Sequence, residues 1–161
     1  MTSRYVELHA ASAFSFLEGG SSPEAMAKRA FELEMPAIAL LDRNGFYGSA
    51  RFHKIASENG VRAHVGSEVA VATLGQRLTP PKSLPHQHLA EPVRLPLLCE
   101  TREGYQNLCQ LITRYKMREK TKQEGAAKAS ELEQHSQGLI CLTGGDEGPL
   151  DRKSTRLNSS H

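Results

Sequence analysis

Pro36-Ala37-Ile38-Ala39-Leu40-Leu41-Asp42 decides the architecture. The run Ala37–Leu41 is apolar throughout, opened by a proline and closed by an aspartate, without the in–out alternation of a strand that has one wet face. Such a run suits a strand buried on both faces of a parallel sheet. Upstream, Ser22-Pro23-Glu24 reads as a helix start, with serine as N-cap, proline at the first helical position and an acid in the first turn. That helix is expected to bury Met26, Ala27, Ala30, Phe31 and Leu33. Further upstream, Arg4–His9 reads as a strand, with Val6 and Leu8 on one face and Tyr5, Glu7 and His9 on the other. Downstream, Asp42–Gly48 is a turn and Ser49–Asn59 a second amphipathic helix, closed by Gly60 as a left-handed cap. Val61–Ala72 is again strand-like. Arg94–Cys99 forms another strand, Arg102–Lys120 and Ala126–Gln137 helices, and Gly138–Thr143 a last buried strand. Alternation of this kind predicts an α/β fold with parallel strands and flanking helices, although doubly wound sheets and barrels share the local pattern.

Between these elements, Leu74–Pro92 carries four prolines and little apolar content, so a Pro-rich insertion is expected at about 74–93. The last eleven residues, Asp151–His161, hold one apolar side chain and no periodicity. They resemble a translated sequencing adapter and are set apart as a non-native or disordered tail, leaving 1–150 as the domain. The chain has 161 residues, 39% hydrophobic and 24% charged, the composition of a soluble globular domain with a real core. Its Lys+Arg 20 and Asp+Glu 18 give +2, but removing the tail leaves 17 against 17. A neutral body lacks the electrostatic footprint of a freestanding DNA-binding domain. No apolar run approaches the ~20 residues of a membrane span, and Met1–Arg4 runs straight into the first strand without the apolar stretch expected of a secretory signal. Cys99, Cys109 and Cys141 show no metal or disulfide spacing and read as buried small hydrophobes in a reducing cytoplasm.

In parallel α/β folds functional groups gather at the C-terminal strand ends. The polar residues there are Glu7, His9, Glu18, Asp42, Arg43 and Glu68. Glu7 and His9 point the same way on a strand, and with Glu18 and Glu68 could hold a divalent metal. Spacing alone favours the plainer reading, in which each sits at a solvated strand end without a ligand.

The segment Tyr5–Gly19 (YVELHAASAFSFLEG) resembles the opening of the PHP (polymerase and histidinol phosphatase) domain, in the version found at the N-terminus of bacterial DNA polymerase III alpha subunits. The resemblance continues through Met35–Asp42, Phe46-Tyr47-Gly48, Val65-Gly66-Ser67-Glu68, Leu97–Ile112 and Gly138–Gly144. The Glu-Leu-His opening and Leu111-Ile112-Thr113-Arg114-Tyr115 are most similar to the error-prone, damage-tolerance branch. The resemblance implies a distorted (β/α)7 barrel, with a cluster of three metals in active members. It also implies a place at the front end of a DNA-directed DNA polymerase, a nucleotidyltransferase of replication and translesion repair. Such a barrel usually needs ~250 residues, and about five strands precede residue 150, so a partial barrel is expected.

Against the family's ligand set this chain departs at several positions. Its second histidine of strand one is Ala11, its Asp-His after strand two is Asp42-Arg43, a histidine opening strand four is Arg94, and a cysteine near the last strand is Gly145. His9, Glu18 and Glu68 remain as remnant metal ligands. Losing even one outer-shell partner costs ~10–100-fold in metal affinity, so the resemblance, with these losses, implies a degraded site without proofreading or phosphatase activity. No catalytic residue and no cofactor are expected here. Mn or Zn in the PHP site would signal the alternative, an independent PHP-type metal-dependent phosphoesterase or 3′–5′ exonuclease. Mg belongs to the palm of a full-length polymerase. An ion pair of Arg43 with Glu68, or with Glu18, is the expected replacement. The implied partners are the remaining polymerase domains, with DNA and a sliding clamp reached through them, and no membrane. Arg114, Lys116, Arg118, Lys120 and Lys122 form a basic stretch that could touch a nucleic-acid backbone, though a solvated helix end is the simpler reading. His86 and His88 make a poor metal site, and His53 and His64 read as structural.

Overall fold

The computed structural model describes residues 5–72, 92–118 and 125–143. Most of the expected insertion, Gly145, Lys120, Lys122 and the 151–161 tail lie outside the described residues. The element order is β1 (Glu7–Ala10), α1 (Pro23–Glu32), β2 (Ala37–Arg43), α2 (Ser49–Glu58), β3 (Arg62–Ala72), β4 (Val93–Cys99), α3 (Arg102–Arg118), β5 (Ala127–Lys128), α4 (Ala129–Gln134) and β6 (Leu139–Cys141). The six strands form one sheet in the order β1-β2-β3-β4-β6, with β5 paired to the far end of β3. β1, β2 and β3 run parallel, as does β5 with β3. β4 is antiparallel to both β3 and β6, so one strand of an otherwise parallel sheet is reversed.

The central run behaves as its composition requires. All of Ala37–Asp42 is buried, and alternate residues serve opposite faces. Ile38 and Leu40 pack with Ala27, Ala30, Phe52, Ala56 and Val61 of the α1–α2 layer. Ala39 and Leu41 join Leu98 on the other side. Burying Phe52 alone stabilises by roughly 1.5–3 kcal/mol. α3 packs Leu108, Leu111, Ile112 and Tyr115 against Val69, Val71 and Leu97. By the pleat, Val65, Val69 and Val71 share one face of β3, so α1, α2 and α3 all cover the same side of the sheet. That places Arg43, Glu68 and Arg94 together on the opposite face, where β2–β3 and β3–β4 register also sets Leu41 beside Gly66 and Gly66 beside Leu98. Helices on one face and a separate inward face are the layout of a barrel segment, not of a doubly wound sheet.

Local signals hold where they rest on backbone chemistry. Ser22 caps α1 by accepting from the Ala25 amide at 3.1 Å, and Gly60 adopts φ +72° after α2. Several burial expectations need correction. Phe31 and Leu33 are 54% and 45% exposed, because α1 meets its neighbours through Ala27 and Ala30, whose small side chains bring the helix close. The last strand is short and largely exposed, and Cys141 with it, whereas Cys99 and Cys109 are half-buried. Burial pushes the Cys99 thiol up to about 12, which keeps it protonated. The segment expected as one helix over 126–137 divides into β5 and the short α4.

Candidate functional site

The site is built on two loops that follow parallel strands, residues 11–22 after β1 and 44–48 after β2. A carboxylate buried at the end of β2 organises both. Asp42 is 1% exposed, and a charge so placed requires hydrogen-bond donors. Its Oδ1 accepts from the Ser12 amide at 2.9 Å, the Ser12 hydroxyl at 2.8 Å and the Ser15 hydroxyl at 3.1 Å. Its Oδ2 accepts from the Gly48 amide at 3.3 Å. The Ser15 hydroxyl in turn accepts from the Arg43 amide at 3.0 Å. Ser67 donates to the Asp42 carbonyl and accepts from the Gly45 amide, both at 2.9 Å. Asp42, Ser12, Ser15 and Ser67 thus tie the loops to the sheet, a role the sequence reading did not assign. The available signal was an acid ending a fully buried strand, together with two serines three residues apart in the preceding loop.

On the inward face the charged side chains meet one another. His9 Nε2 lies 2.8 Å from Glu68 Oε2. Glu18 Oε1 accepts from Arg43 Nη1 at 2.8 Å and from Arg94 Nη1 at 2.6 Å. Arg94 Nη1 also lies 3.6 Å from Glu68 Oε1, linking the two halves. The group therefore joins β1, the following loop, β2, β3 and β4. At its edge, Glu7 accepts from the Tyr5 hydroxyl and, at 2.8 Å, from the His9 amide. The hydrogen bond with His9 holds the Glu68 carboxyl below its ordinary range against desolvation, helped by the charges of His9, Arg94 and Arg43. The same hydrogen bond to Glu68 raises His9 against desolvation, and the charges of Glu68 and Glu7 add to it.

His9, Glu18, Glu68, Arg43 and Arg94 are therefore brought together. The direct partner of Arg43 is Glu18, while Glu68, its register neighbour, is engaged by His9 and feels Arg43 only through space. Ala11 begins the loop that Asp42 anchors and contributes no donor side chain. Of the basic stretch, Arg114 reaches Gln134, Lys116 reaches Tyr47, and Arg118 pairs with Glu131 at 2.6 Å while donating to the Ala126 carbonyl. These contacts tie α3 to α4, to Ala126 just before β5 and to the loop after β2.

The donor chemistry does not fit a metal cluster. Among the described residues no group of three or more His, Cys, Asp or Glu side chains is arranged to hold a metal ion. The imidazole nitrogen and the carboxylate oxygen that would face a metal face each other, and Glu18 Oε1 is shared by two guanidinium groups that bring fixed positive charge to the same spot.

The PHP domain model matches residues 7–159, a span that takes in most of the tail set aside on composition. The chain belongs to the PHP domain family. Among relatives of this PHP domain, an "Error-prone DNA polymerase" of Anaeromyxobacter sp. (strain K) is 45% identical over 69% of the chain. A "DNA polymerase III subunit alpha" of Caulobacter vibrioides is 31% identical over 91% of it. The aligned regions amount to 9% and 12% of those two proteins' length. An amidohydrolase structure from Chromobacterium violaceum superposes with TM-score 0.50 and 20% identity, covering 70% of this chain and 33% of that one. That likeness concerns the fold. Among the described residues no helix is long and apolar enough to cross a membrane.

Proposed function

We propose that this PHP domain serves as architecture at the front of an error-prone, polymerase III alpha-type DNA polymerase, its strand-end pocket closed by ion pairs where active relatives of the fold hold metals. The observation that carries the reading is Glu18 Oε1 accepting from both Arg43 and Arg94 while His9 and Glu68 satisfy each other. Cross-linking five chain segments through charge-assisted contacts fixes the strand ends without any ion. Synthesis, with its Mg-dependent palm, would belong to other domains of the same chain. DNA and a sliding clamp would be met through those domains, in the cytoplasm, during replication and translesion repair. The match of chain order and motif to the polymerase relatives supports this placement. The second reading, a metal-dependent phosphoesterase or 3′–5′ exonuclease using His9, Glu18 and Glu68, follows from the donors that persist. The purified chain, given Mn²⁺ or Zn²⁺ with a single-stranded oligonucleotide and with a generic phosphomonoester, decides between them. The architectural reading expects no turnover above a His9→Gln, Glu68→Gln control, and metal-dependent turnover lost in that control would establish the hydrolase.

A further inference from the structure

We propose that Phe14 and Tyr47, flanked by Arg51 and Lys116, form a stacking platform for single-stranded nucleic acid on the loop face of the domain. The inference rests on surface geometry and does not require the polymerase reading. The Phe14 and Tyr47 rings stand 6.3 Å apart, tilted by 32°. The Arg51 guanidinium lies 5.5 Å from the centre of the Phe14 ring, and the Lys116 ammonium 5.0 Å from that of Tyr47. The four side chains thus make a continuous row, cation, ring, ring, cation. Phe14 is 40% and Tyr47 55% exposed, which is costly for residues that could have packed inward. Phe16, on the same loop as Phe14, is 80% exposed.

The row is preorganised. Phe14 and Tyr47 sit on the two loops that Asp42 holds, Phe14 through its amide to the Ser12 hydroxyl and Tyr47 next to the Gly48 amide. The Tyr47 ring lies against Gly45, where a Cβ would come within 2.5 Å of it. Charge selects the occupant. Arg51 has an acidic neighbour in Glu24 at 3.6 Å, a long contact that leaves the guanidinium over the ring. Among the described residues, Lys116 donates to the Tyr47 hydroxyl. An exposed pair of rings bracketed by cations matches the stacked bases and phosphates of a flexible single strand, since every base offers a π-face and every linkage a negative charge. A duplex, with its bases already stacked, offers only the phosphates.

The test is fluorescence anisotropy of a labelled 20-nucleotide oligo-dT and of a duplex of equal length, titrated with the intact chain at low and moderate salt. The single strand is expected to bind preferentially, with affinity falling as salt rises. Phe14→Leu and Tyr47→Leu, which keep apolar bulk but lose the π-face, are expected to weaken binding by roughly ten- to a hundred-fold each. Arg51→Gln and Lys116→Gln should each lower the salt slope by about 0.7. Thermal melts equal to that of the parent chain establish that the variants are folded, and Tyr47→Trp, expected to tighten binding, reads the same surface by a gain. Absence of single-strand binding at low salt, equal affinity for duplex, or leucine variants that bind like the parent would each overturn the proposal. So would concentration-dependent self-association abolished by Phe14→Leu in a chain that binds no oligonucleotide, which would make the row a protein interface.

Discussion

Replacing Glu18 with glutamine removes a negative charge whose Oε1 receives both Arg43 and Arg94. The side chain keeps its size and one acceptor oxygen, so the change is chiefly electrostatic. Glu18 Oε1 receives Arg43 Nη1 at 2.8 Å and Arg94 Nη1 at 2.6 Å, with all three side chains between about a quarter and two fifths exposed. Solvent therefore screens both contacts, and each is worth on the order of 0.2–1 kcal/mol. With Glu18 neutralised, the carboxylate of Glu68, 3.6 Å from Arg94, is left to offset the mutual repulsion of the two guanidinium groups, which sets the total at about 1–2 kcal/mol. With a urea dependence of about 2 kcal/mol per molar, the middle of the usual range, the unfolding midpoint should fall by roughly 0.5–1 M. The assay is far-UV circular dichroism in urea, repeated in about 1 M NaCl, where a screening length of ~3 Å should shrink the difference. The opposite sign is expected of a cage of ligand carboxylates lacking its metal, because removing one negative charge there relieves repulsion. A midpoint that stays put or rises on Glu18→Gln, or a loss indifferent to salt, would refute the ion-pair account.

The other predictions concern the supports of the site. Asp42→Ala strips the acceptor from the Ser12 and Gly48 amides and two hydroxyls, and should cost about 3 kcal/mol or more in denaturant titration. Tyr115→Phe deletes the 2.9 Å donation to Asn44, whose side-chain oxygen also accepts from the Ala70 amide, and should cost about 1 kcal/mol by the same measurement. The His9–Glu68 pair should be pH-dependent in both directions. His9 is raised above its ordinary 6.5, so its contribution is complete below that value and fades as pH climbs through the folded pKa. Glu68 is lowered from its ordinary 4.5, so its contribution is complete above that value and fades as pH falls through the folded pKa. The melting-temperature gap between the parent and His9→Gln should accordingly peak between pH 4.5 and 6.5 and close in alkali. A gap that widens above pH 8 would contradict this assignment.

Much of this structure is legible in the residues, and the exceptions have physical causes. Ala37–Leu41 announces a doubly buried strand because no polar side chain interrupts it, and Ser22 and Gly60 announce helix ends because capping and positive φ demand particular chemistry. The direction of β4 is not in its own pattern, since Val93–Cys99 reads alike either way, and the connecting residues 73–91 lie outside the described part. Phe31 misleads because an apolar side chain need not be buried when alanines let the helix seat closely. In the site, the grouping of His9, Glu18, Arg43, Glu68 and Arg94 is implied by the family resemblance and by strand-end placement. Which carboxylate takes which arginine depends on reach. Arg43 neighbours Glu68 in register, yet its guanidinium extends to the loop carboxylate of Glu18 while His9 takes Glu68. Asp42 escapes a search for chemistry because its partners are hydroxyls and amides scattered over two loops.

Isothermal titration of the purified chain with Mn²⁺ and with Zn²⁺, followed by metal analysis after gel filtration, tests the central claim most directly. If arginines have taken the place of the ions, heats should be those of dilution and the eluted protein should carry far less than one metal per chain. One or more tightly held ions per chain, released when His9 and Glu68 are replaced, would contradict the account.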